Sequence, residues 1–149
     1  LEPFNVASAL NLVLAQRLVR RVCGKCKQRH HPDVAEFTGA KVTPDTTLRA
    51  LRFSELALAD ALARATKESA PLLQGVTLDT PVGALPYWKG AGCDACSGTG
   101  LKGRQGLYET MAMTAPLRRL ILKGGDAQQI RDLAIDEGML TLRMDGWLK

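Results

Sequence analysis

Two short cysteine pairs constrain this chain more than anything else in it: Cys23-Gly-Lys-Cys26 and Cys93-Asp-Ala-Cys96. A two-residue spacer lets both sulfurs of a pair face one point, and two such knuckles complete the four-sulfur shell of a structural zinc. The chain must then return on itself across residues 27–92, so that Cys93 and Cys96 meet Cys23 and Cys26. Four protein ligands leave no open position for a catalytic water, and the expected centre is one structural zinc per chain. Other cysteine chemistries fit less of the pattern. A redox pair explains either knuckle alone, disulfides ask for an oxidising compartment, and an iron–sulfur cluster also takes four cysteines. His30 and His31, just after Cys26, are read as solvated loop residues.

The net charge is +5. Its basic excess lies in residues 1–29, where Arg17, Arg20, Arg21, Lys25, Lys27 and Arg29 face the single acid Glu2. Such a cluster attracts nucleic acid, an anionic membrane or an acidic protein. It can also offset the negative charge of a zinc tetrathiolate, and Arg21, Lys25 and Lys27 flank the first knuckle. Aromatic residues make up 5% of the chain and none is interleaved with the cluster, which disfavours a single-strand stacking platform. Glycines 90, 92, 98, 100, 103 and 106 crowd the second knuckle, as a tight metal-pinned turn requires.

With 149 residues, 46% hydrophobic and 23% charged, the chain is large enough for one domain or a domain with a lobe. No apolar run reaches the roughly 20 residues of a spanning helix. The opening Leu1-Glu2-Pro3 has neither an initiator Met nor a secretory n-region, and the chain reads as a piece of something longer. The expected fold is α+β, mostly helical: a small zinc-stabilised domain with short strands.

Residues 1–22 read as one amphipathic helix entering the first knuckle, with its basic residues at the C-terminal end. Residues 23–100 form the tetracysteine module, carrying a helical insertion at about 31–87. Within it 30–45 reads as loop, 47–69 as one or two helices broken near Phe53-Ser54, 74–80 as a short strand and 81–86 as a connector. Residues 101–149 supply a strand around Gly106–Met111 and C-terminal helices. Thr114 caps one helix, which stops at Gly124-Gly125. Asp126 with Gln129 starts another in a capping-box pattern, running to Gly138.

No phosphate loop, H-E-x-x-H or G-x-S-x-G occurs, and the two histidines are adjacent, so no catalytic or nucleotide-binding residue is assigned. The runs Leu14–Cys26 (LAQRLVRRVCGKC), Gly92–Glu109 (GCDACSGTGLKGRQGLYE) and Gly138–Gly146 (GMLTLRMDG) resemble the C-terminal region of the tetracysteine, extension-type assembly ATPases of type IV pili and type II secretion. That resemblance implies the end of a RecA-like motor: a cytoplasmic hexamer, peripheral to the bacterial inner membrane. It implies partners in the rest of the ATPase, in neighbouring subunits and in an inner-membrane platform protein, with Arg20, Arg21, Lys25 and Lys27 available to an acidic surface. ATP and Mg2+ would serve only the longer parent, whose Walker, acidic and histidine motifs lie outside this sequence. Two other readings remain. Cys93–Gly100 is similar to one repeat of the zinc domain of DnaJ co-chaperones, which bind client polypeptides, and a zinc ribbon could bind nucleic acid.

Overall fold

A computed structural model describes residues 2–63 and 70–149. Helix α1 (Pro3–Ala9) starts on a proline at its first position and stops at Leu10, whose ψ of 133° is extended. The expected helix over 1–22 is therefore corrected: residues Leu12–Val22 form strand β1. Val13, Val19 and Val22 are β-branched and stiff at χ1, and every second side chain falls on one face. Spacing alone did not separate the two periods over so short a run.

Strand β2 (Lys27–His30) follows the first knuckle, and helix α2 (Val34–Gly39) lies where a loop was expected. A reciprocal capping box starts α2: the Glu36 amide donates to Asp33 Oδ1 at 2.8 Å, and the Asp33 amide donates to Glu36 Oε2 at 3.1 Å. Helix α3 (Glu55–Ala63) begins beyond the expected break, and 64–69, the end of the predicted helical stretch, lie outside the described residues. The strand expected over 74–80 is absent. Gly75, at φ 81°, and a Thr77–Thr80 turn, in which the Thr80 amide donates to Thr77 O at 3.1 Å, interrupt it. Short 3-10 turns occur at Val82–Ala84 and Asp94–Cys96. Strand β3 (Tyr87–Gly90) precedes the second knuckle and β4 (Leu101–Ala112) follows it. Helices α4 (Ala115–Leu122), α5 (Ala127–Asp136) and α6 (Leu142–Trp147) end the chain. Thr114 and Asp126 cap α4 and α5 as their sequence implies.

The sheets are two-stranded, β1 with β4 and β2 with β3, and the fold is α+β. The chain forms two compact units. The first comprises Leu1–Arg17, Arg52–Ala61 and Leu107–Lys149. Its buried side chains include Leu117, Ile135, Met139 and Met144, and α4 packs on α1 and α5. Arg118 ties α4 to the end of α1, donating to Ala7 O, to Met113 O and to Asn11 Oδ1. Asp145, buried at the start of α6, accepts from the Tyr108 amide at 2.9 Å and from Lys149 Nζ at 2.6 Å.

The second unit comprises Leu18–Leu51 and Leu62–Gly106. Leu48 and Val82 are fully buried there, with Phe37, Leu78 and Leu85. Irregular backbone delivers Leu48: its amide donates to Thr80 O at 3.1 Å and that of Arg49 to Leu78 O at 2.7 Å. No helix among the described residues is long and apolar enough to cross a membrane.

Candidate metal centre

Two short turns of the second unit carry the four cysteines, Cys23 and Cys26 between β1 and β2, Cys93 and Cys96 between β3 and β4. Cys23 follows β1 directly and its amide donates to Gly100 O at 2.9 Å, which aligns the end of β1 with the start of β4. The Cys26 amide donates to Cys23 O at 3.2 Å and closes the first knuckle. The second repeats the form: the amides of Cys96 and Gly98 both donate to Cys93 O, at 3.1 and 3.0 Å. Glycine is required where the backbones meet. A Cβ on Gly90 would lie 2.0 Å from Gly100 O, and one on Gly100, whose φ is 71°, would lie 2.4 Å from Gly90 O.

The result brings all four predicted sulfurs together, every pair within 4.8 Å. Cys23 Sγ lies 4.0 Å from Cys93 Sγ, Cys26 Sγ 3.8 Å from Cys96 Sγ, and Cys93 Sγ 3.7 Å from Cys96 Sγ. Metal–sulfur bonds of about 2.3 Å in a regular tetrahedron separate the sulfurs by about 3.8 Å. The spacing fits a tetrahedral dication, and it is far too long for the roughly 2.05 Å bond of a disulfide. Cys23 and Cys96 are buried, Cys26 and Cys93 half-buried.

The backbone also prepares negative charge. Cys96 Sγ accepts the amides of Cys93 and Gly100, each at 3.2 Å. Burial opposes ionisation of Cys96, yet these amides with the Cys93 and Cys26 thiols bring it down to about 6. Burial, reinforced by the three neighbouring sulfurs and opposed by the Gly92 amide, pushes Cys26 up to about 12. The thiolate is the form that ligates a metal, and the two amides on Cys96 Sγ favour it.

The histidines stay outside the sulfur cluster. His30 is not a loop residue: it ends β2, pairs with Tyr87 across the ladder and bonds Glu36 Oε2 at 2.8 Å, while His31 is exposed. Of the flanking cations, Arg21 and Lys25 are exposed, and Lys27 lies over the Trp88 ring, 5.3 Å from its centroid. That contact corrects the reading of a basic cluster without an aromatic. Trp88 is remote in sequence, and its pairing with Arg29 shows only when K-Q-R-H and Y-W-K-G are recognised as two short strands.

The family of type II/IV secretion system proteins matches residues 1–149. The chain belongs to this family. Among its relatives is the type IV pilus assembly ATPase PilB of Thermus thermophilus, 38% identical over 99% of this chain and 13% of that protein. PilB of Myxococcus xanthus is 33% identical over all of the chain and 20% of that protein. The type II secretion system protein HxcR of Pseudomonas aeruginosa is 29% identical over 97% of the chain and 19% of that protein. The chain thus spans a fifth or less of these family members' length.

Proposed function

We propose that this chain is the zinc-braced C-terminal part of a secretion or type IV pilus assembly ATPase, and that Cys23, Cys26, Cys93 and Cys96 hold one structural Zn2+. The observation carrying this reading is the four-sulfur tetrad at tetrahedral spacing in a chain matched to the family along its whole length. A bound zinc would supply cross-linking and charge, not a reactive water, because all four positions are cysteine. The chain's own contribution is positional: the Gly100 and Cys93 amides bond Cys96 Sγ, and the two knuckles hold the sulfurs in register.

ATP and Mg2+ act elsewhere in the parent, a cytoplasmic hexamer in this reading. The chain itself hydrolyses no ATP and docks on the motor core or on an inner-membrane platform protein. Strand β1, and not the expected helix, leads directly into Cys23.

Metal analysis of the purified chain should return one zinc per molecule. Any single Cys→Ser change should abolish retention and destabilise the second unit, since structural zinc supplies on the order of 10 kcal/mol of apparent binding free energy. Zinc-free protein with four freely titrating thiols and unchanged stability would reject the assignment.

A further inference from the structure

The first unit holds a small concavity between the end of β4, the start of α4 and the end of α5, with a volume of about 180 Å³. Met111, Leu117 and Met139 line it with apolar surface, and Glu137 brings a carboxylate to it. One oxygen of that carboxylate is engaged: Glu137 Oε2 accepts from Thr114 Oγ1 at 2.6 Å. Among the described residues no cation pairs with Glu137, although the net charge of the chain is +5.

We propose that this concavity takes one lysine side chain of a partner protein, with the aliphatic stem along Met111, Leu117 and Met139 and the ammonium on Glu137. Size and chemistry select that occupant. Pockets for drug-sized ligands run from about 300 Å³ upward, so the volume here suits a single long side chain better. A lysine has an apolar stem and a charged tip, the two kinds of surface that the concavity offers. An arginine fork asks for two carboxylate oxygens side by side, and Thr114 Oγ1 already stands on one of them. The lining residues belong to the first unit and the four cysteines to the second, so the proposal is independent of the metal assignment.

The test follows the amide NMR shifts of the isotope-labelled chain during titration with blocked tripeptides whose central residue is lysine, arginine or norleucine, the last an uncharged stem. The expected result is saturable shifts at Leu117, Gly138 and Met139 with the lysine peptide, severalfold weaker binding of the arginine peptide and none of the norleucine peptide. A chain of positive net charge has no general attraction for a cationic peptide, so saturation reports a local carboxylate. Glu137→Gln keeps an oxygen for Thr114 Oγ1 and removes the charge. It should weaken the lysine peptide about tenfold, with the melting temperature measured alongside. If that variant fails to fold, Ala112→Leu, which adds bulk to the wall of the concavity, should cause a comparable loss. Lysine binding that survives these substitutions overturns the proposal, as does equal binding of the arginine or norleucine peptide, or shifts that never saturate.

Discussion

At the residue scale, the contact between Gly90 and Gly100 decides whether the two cysteine knuckles can meet. Gly90→Ala or Gly100→Ala should lower zinc retention and the unfolding midpoint, because each added methyl meets backbone that no rotamer can move. Gly24→Ala is the control, with nothing within 4 Å of its Cβ. Equal zinc content and equal melting temperature in all three variants would show that the two loops can separate without cost. The cysteine and glycine positions were legible because two-residue spacing and crowded glycines have few other uses. Trp88 over Lys27 and Arg29 was not, since its partners lie far away in sequence and four-residue strands leave too little alternation to detect.

The starts of α4 and α5 were legible, whereas that of α2, with its Asp33–Glu36 capping box, was not. Thr114 and Asp126 supply side-chain oxygens to the third residue onward, a local arrangement independent of the rest of the fold. Strand β1 was not legible, because its leucines and valines satisfy helical and extended spacing alike and β4 settles the choice from outside the segment. The link between β4 and α6 is also non-local: besides Asp145 on the Tyr108 amide, Glu109 Oε2 accepts the Leu142 amide at 3.1 Å. Asp145→Ala should destabilise the first unit by about 1–3 kcal/mol through the stranded Tyr108 amide. Asp145→Asn, which keeps an acceptor, should cost less, and chemical denaturation followed by circular dichroism measures both. No difference between the two variants would mean that water replaces the carboxylate.

For the whole molecule, the two units predict uneven dependence on metal. Chelation should expose the amides of Cys23 and Ala91, which donate to Gly100 O and Cys26 O, before those of Lys123 and Ile130, which lie in the first unit on Arg119 O and Asp126 O. Hydrogen exchange with and without chelator checks this, and simultaneous loss of protection in both groups would show one cooperative structure. The α+β class and the return of the chain to its first knuckle were legible. The interleaving of chain segments was not, because Leu117 or Leu48 is equally apolar in whichever core receives it. The pairing of His30 with Tyr87 gives the chain a further property: the stretch between them departs and returns at neighbouring points. The length of that stretch is thereby uncoupled from the sulfur cluster, because its two ends are clasped beside the knuckles whatever lies between them.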